Sequence, residues 1–244
     1  MPSTPKKSAP LAAEPKTLVE SAYRGLRRDI IEGHLAPGEK LRVEHLKENY
    51  GVGAGTLREA LSLLIADALV VSQGQRGFRV APVSLEDIAD ITNTRVMLEC
   101  EALRQSIELG DDAWEGALLS AFHRLSKAEE KLGDPRTREE WEERNRLFHE
   151  VLISACPSRW IKHFLAILYH QAERYRRLSL YLQPIPRDVH GEHEALFKAT
   201  MARDKEKASA IMAEHILTTL RSIQIIPAEL LNKKSPEPAS QSQG

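Results

Sequence analysis

The stretch of residues 41–80 constrains the fold of this 244-residue chain more than any other part of it. Its apolar spacing predicts a short helix over 43–50 and a second helix over 54–68. Between them lies Gly51-Val52-Gly53, in which a glycine supplies the positive φ angle that a sharp reversal needs. Two helices joined by so short a turn predict a helix-turn-helix unit.

The second of these helices has two different faces. Gly55, Arg58 and Ser62 follow one outward stripe at spacings of three and four residues. The inward positions are apolar: Leu57, Ala60, Leu61, Leu64 and Ala68. Two short apolar runs, 69–71 and 78–80, predict a hairpin with its tip at 73–77. Helix, turn, helix and hairpin in this order predict a winged helix-turn-helix, a module that inserts one helix into a DNA groove.

A further helix is predicted before this unit, over residues 17–33. Its apolar positions recur every four residues: Leu18, Ala22, Leu26 and Ile30. A short strand is expected at 40–42, so the winged helix-turn-helix domain is predicted to span 17–82. Residues 1–16 are rich in Pro, Ala and Lys and lack apolar periodicity, which predicts a disordered tail.

The chain beyond Pro82 contains no strand pattern. Its periodicity predicts six helices, separated by Gly, Asp and Pro residues, over 84–109, 112–132, 137–155, 159–181, 188–202 and 205–226. Ser84 and Asp204 are the expected N-caps of the first and last of them. We therefore expect a mostly α fold, in which an all-helical antiparallel bundle occupies 84–226. The polar residues 228–244 predict a second disordered tail.

The composition excludes some classes of protein. Hydrophobic residues make up 42% of the chain and charged residues 28%, which is ordinary for a globular protein. No apolar run approaches the roughly 18 to 20 residues that span a bilayer, and the N-terminus has no apolar signal region. Cys100 and Cys156 lie far apart, which disfavours a disulfide framework and predicts a cytoplasmic location.

Basic and acidic residues are unevenly distributed along the chain. Residues 1–83 contain 12 Lys and Arg against 9 Asp and Glu, whereas the remainder contains 22 against 26. A mildly basic front and an acidic back are compatible with a nucleic-acid-binding domain attached to a different kind of domain. Chance variation between two solvated surfaces is the alternative explanation.

Five residues are candidates for DNA contact: Arg42, Thr56, Arg58, Gln75 and Arg76. Phosphate contacts supply affinity and base-edge contacts supply sequence choice, and the guanidinium fork of Arg58 can serve either purpose. Thr56 can donate to a phosphate, while Gln75 and Arg76 at the hairpin tip suit a minor-groove or backbone contact. Arg42 lies near the start of the first helix and can reach the flanking backbone. The alternative for Arg58 is a salt bridge to Glu59 or Asp67.

Four residues of the back domain are candidate metal ligands. Asn145 and His149 are spaced i, i+4 and project from one helix face, and His193 and His215 lie on two other predicted helices. A bundle can bring such residues together, and three imidazoles with one oxygen can bind a divalent ion, zinc or nickel. Nine histidines occur in the chain, however, and a single helical histidine is usually not a ligand.

Arg95 and Glu99 lie on the apolar stripe of the first back-domain helix, which contains Ile88, Ile91, Leu98 and Ala102. A charge on an inward stripe must be paired, because an unpaired buried ion is very costly. One interpretation is that Arg95 and Glu99 belong to an effector site, in which Arg95 binds the carboxylate of a small effector beside the metal. A purely structural pair lining the bundle is the alternative.

Taken in order, these segments resemble the GntR family of bacterial transcription regulators, in its FadR-like subfamily with an FCD effector domain. The resemblance covers about residues 17–226. It depends on the order and spacing of several motifs: Leu57–Leu61 (LREAL), Arg76–Val80 (RGFRV), Arg95-x-x-x-Glu99, Asn145-x-x-Phe148-His149, His193-x-x-Leu196-x-x-Ala199 and Met212-Ala213-Glu214-His215.

The chain departs from the family pattern at two places. Relatives usually carry Ser-Arg-Thr-Pro where this chain has Gly53-Ala54-Gly55-Thr56, so base readout is expected either to be weaker or to depend on Arg58, Thr56 and the wing. In the family the position of Asn145 is often aspartate, and the equivalents of the three histidines bind a metal. Asparagine can still coordinate through its carbonyl oxygen but brings no charge. Metal binding is then expected to be weaker, or the effector to carry more of the charge balance.

The sequence as a whole predicts a cytoplasmic, homodimeric DNA-binding regulator, more specifically a repressor. Two copies of the winged domain would bind a pseudo-palindromic operator, and the resemblance implies a small organic acid as effector. No catalytic motif is found, which disfavours the alternative of an all-helical metal-dependent enzyme with a front domain for association. A third possibility, a metal-binding scaffold without operator recognition, draws some support from Ala54 and Gly55.

Overall fold

The structure is a computed structural model that describes residues 17–131, 137–180 and 187–225. Within these ranges it contains nine α-helices and three short strands. In chain order they are α1 (Leu18–Ile31), β1 (Lys40–Leu41), α2 (Val43–Tyr50), α3 (Ala54–Ala66), β2 (Val70–Ser72), β3 (Phe78–Val80), α4 (Leu85–Leu109), α5 (Asp112–Glu129), α6 (Arg138–Leu152), α7 (Arg159–Leu180), α8 (Val189–Met201) and α9 (Lys205–Gln224). The two predicted tails, and the predicted helix breaks at 133–135 and 184–186, lie outside the described residues.

The front domain is the predicted winged helix-turn-helix. Gly51 ends α2 with φ of 62°, the left-handed conformation that the sharp turn into α3 requires. The strands form an antiparallel sheet in the order β1-β3-β2, so the wing hairpin β2–β3 is joined to the body of the domain by β1. The core between the helices and the sheet is apolar and includes Leu26, Leu46, Leu57, Leu61 and Leu64.

Two residues of the predicted inward stripes are instead exposed. Leu18 is 65% exposed because it is the first residue of α1 and lies beyond the edge of the core. Ala68 follows the end of α3 in a left-handed turn, with φ of 56°, that leads into β2. The prediction that Ala68 faces inward was wrong, and the apolar stripe that contains Leu18 does not extend to it as a buried position, since both residues lie at helix ends where the periodicity no longer applies.

The back domain contains six helices in the described ranges, α4 to α9, as predicted. The side chains of Ser84 and Asp204 accept hydrogen bonds from the backbone amides of Asp87 (3.0 Å) and Lys207 (3.1 Å), so both act as the expected N-caps. Burial of apolar side chains between the helices forms the main core, which includes Leu103, Leu118, Phe148, Leu196 and Met212. None of the described helices is long and apolar enough to cross a membrane.

Helix α7 lies between the two domains. Its Gln171 side chain donates to the Asp67 carbonyl at the end of α3 (2.7 Å), and Arg174 donates to the Ala81 carbonyl after β3 (2.5 Å). Arg177 also forms an ion pair with Glu32 beside the end of α1, at 3.4 Å. The helix that borders the metal candidates therefore also contacts the helix-turn-helix.

Candidate metal centre and DNA-reading surface

The three predicted histidine ligands converge in the structure. His149 on α6, His193 on α8 and His215 on α9 are all buried, and their ring centroids are 4.8 to 5.7 Å apart. One ring nitrogen from each lies within 4.8 Å of those of the other two. Three separate helices thus place three imidazoles around one point.

A glutamate lies behind each imidazole, on the side of Nδ1. Nδ1–H of His193 donates to Glu129 Oε1 (2.6 Å) and Nδ1–H of His215 donates to Glu192 Oε2 (2.8 Å). Nδ1 of His149 is 3.6 Å from Glu99 Oε2, which is too long for a direct hydrogen bond. A carboxylate on Nδ1 fixes the tautomer in which Nε2 carries the free lone pair, and this arrangement is common behind metal-binding histidines.

Burial keeps two of these imidazoles, those of His149 and His215, neutral. It lowers the pKa of His149 to about 4, although the carboxylate of Glu99 opposes the shift. Burial, together with the neighbouring His193 and His149, also lowers the pKa of His215 well below its ordinary value. Neutral imidazoles can bind a metal at pH 7 without first releasing protons.

Asn145 lies one turn before His149 on α6 and is also buried. Its Nδ2 donates to the hydroxyl of Tyr169 (2.8 Å), whereas its Oδ1 has no hydrogen-bond partner among the described residues. Nε2 of His193 is likewise buried and unpartnered within the described part of the chain. Orphaned acceptors of this kind are costly unless a cation or donor meets them, so the residues present fit a divalent metal ion.

A small cavity of about 40 Å³ borders this cluster. His149, His215 and Asn145 contribute to its wall, and three guanidinium groups line it as well, those of Arg95, Arg176 and Arg187. The volume is enough for a few water-sized groups. Each arginine has a carboxylate partner, since Arg176 pairs with Glu142 (2.7 Å) and Arg187 with Glu192 (2.5 Å).

Arg95 forms a buried ion pair and also borders the cavity, so the structure fits both interpretations that the sequence left open. Its Nε donates to Glu99 Oε1 (2.6 Å) in a fully buried pair, and its guanidinium also lines the cavity. Burial alone would raise the pKa of Glu99, but the charge of Arg95 and the nearby His149 outweigh it and hold the pKa at about 2. Glu99 is therefore ionised and lies between the arginine and the histidine.

The candidate DNA contacts lie on the exposed side of the front domain. Arg58 projects from the outward stripe of α3, Arg42 is the N-cap residue of α2, and Arg76 lies in the turn between β2 and β3. All three are exposed, and none forms an ion pair with another residue in the described ranges. Thr56 is half-buried on α3, and the side chain of Gln75 lies outside the described residues.

The alternative salt bridge of Arg58 to Glu59 or Asp67 is not present among the described residues. Asp67 instead accepts a hydrogen bond from the Tyr23 hydroxyl (2.5 Å). A Cβ atom at Gly55 would meet nothing within 4 Å, so that part of α3 presents open space beside Arg58. The arginine is free to reach a groove.

Three residues of the candidate metal site were not predicted from the sequence: Glu129, Glu192 and Tyr169. Glu192 directly precedes the candidate ligand His193 in the sequence. This proximity was the only signal that could have pointed to it. Glu129 ends α5, 64 residues before its partner, and Tyr169 lies on α7, 24 residues after Asn145. No periodicity relates residues that meet only through helix packing.

Comparison with known proteins identifies both domains. The family model described as "Bacterial regulatory proteins, gntR family" matches residues 18–80, and the model described as "FCD domain" matches residues 90–218. The chain belongs to the GntR family of bacterial transcription regulators. The resemblance inferred from the motifs is thereby confirmed.

Alignments with similar proteins cover most of this GntR-family regulator. The HTH-type transcriptional regulator BphR of Paraburkholderia xenovorans is 48% identical over 87% of each chain. The HTH-type transcriptional repressor GlaR of Escherichia coli is 37% identical over 83% of this chain and 94% of its own. The Escherichia coli structure of McbR/YncC, at 23% identity, shares the fold with a TM-score of 0.70 over 86% of this chain and 98% of its own. BphR and GlaR are described as transcription regulators, so the enzyme alternative is rejected.

Proposed function

We propose that this regulator is a cytoplasmic, homodimeric repressor whose operator affinity is controlled by a small carboxylate bound beside a divalent metal ion. One observation carries the proposal: three buried imidazoles converge beside a cavity that Asn145, with its unpartnered amide oxygen, also lines. The helix that borders this cavity, α7, also hydrogen-bonds to the helix-turn-helix.

The metal candidates favour an anionic effector. Three neutral histidines and Asn145 would leave the two positive charges of zinc or nickel unneutralised by direct ligands. The carboxylates of Glu99, Glu129 and Glu192 lie behind the histidines and would not touch the metal ion. They would therefore neutralise its charge only in part. A carboxylate that enters the cavity would complete both the coordination and the charge balance.

The front domain supports operator binding by two copies of the chain. Each copy has one α3 helix with an exposed Arg58, and a two-fold dimer places two such helices on two half-sites of a pseudo-palindrome. Arg42, Thr56, Gln75 and Arg76 would contact the backbone or the minor groove around it. Repression is favoured because GlaR, 37% identical, is described as a repressor.

The metal part of the proposal is tested by metal analysis of purified variants. His149→Ala and His215→Ala should lose the bound metal, because each removes one of the converging nitrogens. His163→Ala is the matched control, since this exposed histidine lies on α7 and has no place in the cluster. If both His149→Ala and His215→Ala keep their metal content, the proposed site is wrong.

The effector part is tested on an operator fragment isolated from genomic DNA with the protein itself. Fluorescence anisotropy of the fragment is followed while small mono-, hydroxy- and dicarboxylic acids are added to the metal-loaded protein. At least one acid should change operator affinity by about 5-fold or more. The same acid should have no effect on His215→Ala. If every acid leaves the wild-type affinity unchanged, carboxylate control is wrong.

A further inference from the structure

We propose that Tyr169 is a positioning residue of the metal centre, which holds the amide of Asn145 so that its oxygen faces the histidines. The inference rests on the proposed function, because it assigns Asn145 Oδ1 to the metal. It concerns a residue on α7 that contributes no ligand itself.

An asparagine at this place has a difficulty that an aspartate does not have. A carboxylate presents an oxygen whichever way it is turned, whereas an amide has an acceptor end and a donor end of similar size. A cation requires the acceptor end. The NH₂ group must then point away from the metal, and in a buried site it needs an acceptor of its own.

Tyr169 supplies that acceptor. Asn145 Nδ2 donates to the Tyr169 hydroxyl at 2.8 Å, and both residues are buried. Oδ1 of the same amide is left buried and without a partner in the described part of the chain. One end of the amide is thus satisfied by the tyrosine, and the other end is left for an ion.

The tyrosine ring is itself held firmly. The guanidinium of Arg95 lies 5.4 Å from the ring centroid and that of Arg176 lies 5.0 Å from it. Arg95 is anchored by Glu99 and Arg176 by Glu142, and Arg176 also donates to the Tyr169 hydroxyl at 3.2 Å. Two cation–π contacts and this hydrogen bond fix where the hydroxyl lies, so it can impose an orientation on the amide.

The test is a double-mutant cycle of zinc affinity, measured by competition with a chelator, on wild type, Tyr169→Phe, Asn145→Asp and the double variant. Tyr169→Phe keeps the ring and removes only the acceptor, so zinc affinity should fall about 10-fold or more. In the Asn145→Asp background, Tyr169→Phe should lower zinc affinity by no more than about 3-fold, because a carboxylate has an oxygen at either end.

Tyr175→Phe is the matched control. This tyrosine lies on the same helix, but its hydroxyl contacts Ser84 and Asp87 beside the interdomain linker. Its loss should leave zinc affinity unchanged. The thermal unfolding midpoint of each metal-free variant separates a general loss of stability from a loss of metal binding.

The outcomes distinguish the two proposals. An unchanged zinc affinity in Tyr169→Phe, or an equal loss in both backgrounds, would overturn the positioning role and leave the histidine site intact. If wild type binds neither zinc nor nickel while the chelator competition reports a known site correctly, the metal centre itself is wrong, and the inference fails together with that part of the proposed function.

Discussion

At the scale of single residues, the glutamates behind the histidines explain how a buried site can hold its imidazoles in one orientation. Glu129 accepts hydrogen bonds from both His193 (2.6 Å) and His190 (2.7 Å). Burial would raise the pKa of Glu129, but these hydrogen bonds outweigh it and keep the pKa below its ordinary value. The carboxylate therefore remains ionised and can hold Nδ1–H of His193.

Glu129→Gln is expected to lower metal affinity about 10- to 100-fold, because an amide is a weaker acceptor and no longer fixes the tautomer of His193. The measurement is metal affinity by chelator competition. Glu130→Gln is the control, since the adjacent side chain is exposed. Equal affinity in the two variants would mean that Glu129 has no role behind the metal.

Arg58 is the residue on which operator reading is expected to depend. Arg58→Ala should weaken operator binding by about 5- to 150-fold, the range expected for a lost arginine contact to a guanine edge. Arg104→Ala on α4 is the control for charge alone, since Arg104 is partly exposed and distant in sequence from the winged domain. Operator affinity retained at physiological salt in Arg58→Ala would contradict this role.

The residue types of the site could be predicted, but their environment could not. The spacing of Asn145 and His149 places both on one face of α6, and the structure agrees with it. The partners of the four candidate ligands, Glu99, Glu129, Tyr169 and Glu192, come from α4, α5, α7 and α8. No local pattern specifies how these helices pack. For the same reason the sequence could not decide which arginines of α7 reach the cavity: Arg176 lines it, whereas Arg174 and Arg177 contact the front domain.

At the scale of elements, α7 accounts for the contact between the two domains. Tyr169 and Arg176 face the cavity, and Gln171, Arg174 and Arg177 face the helix-turn-helix. Polar side chains of α7 therefore meet both the cavity and the front domain, and periodicity does not say which of them meets which. Several helix ends, such as those of α3, α5 and α6, were also predicted two or three residues too far along the chain, because the last turn is decided by tertiary contacts.

Glu173 on α7 lies at this interface, between Arg177 (3.0 Å) and Arg27 of α1 (4.0 Å). Burial would raise its pKa, but the neighbouring His170 and the charges of these arginines outweigh it and hold the pKa at about 2. The unfolded value is about 4.3. A depressed folded-state pKa stabilises the fold above the unfolded pKa, and this stabilisation is lost as the pH falls toward 2.

The expected result is a pH-dependent difference between wild type and Glu173→Gln. Denaturant unfolding should give a difference in unfolding free energy that is full above about pH 5 and shrinks by on the order of 2 kcal/mol as the pH falls to about 3. Taking the difference between the two unfolding free energies cancels the contributions of the other carboxylates, because these titrate in both proteins. A difference independent of pH would show that Glu173 is not held ionised at the interface.

At the scale of the whole molecule, the order of the elements carried more information than any single motif. The helix, glycine turn, helix and hairpin predicted the winged domain, and the absence of strand patterns after Pro82 predicted the helical one. Both were predictable because local periodicity and turn residues decide them. The relative placement of the domains depends on side chains of α7 that meet residues about 90 to 145 positions away, which the sequence does not relate.

Selection of operators from genomic DNA tests whether this chain is a sequence-specific operator-binding protein, which control by its helical domain requires. Genomic DNA fragments are selected on the metal-loaded wild-type protein at near-physiological salt and sequenced. We expect enrichment of one short pseudo-palindromic site, bound by a dimer. Uniform recovery of fragments across the genome would overturn this expectation, and would mean that α3 with Ala54 and Gly55 binds DNA without reading its sequence.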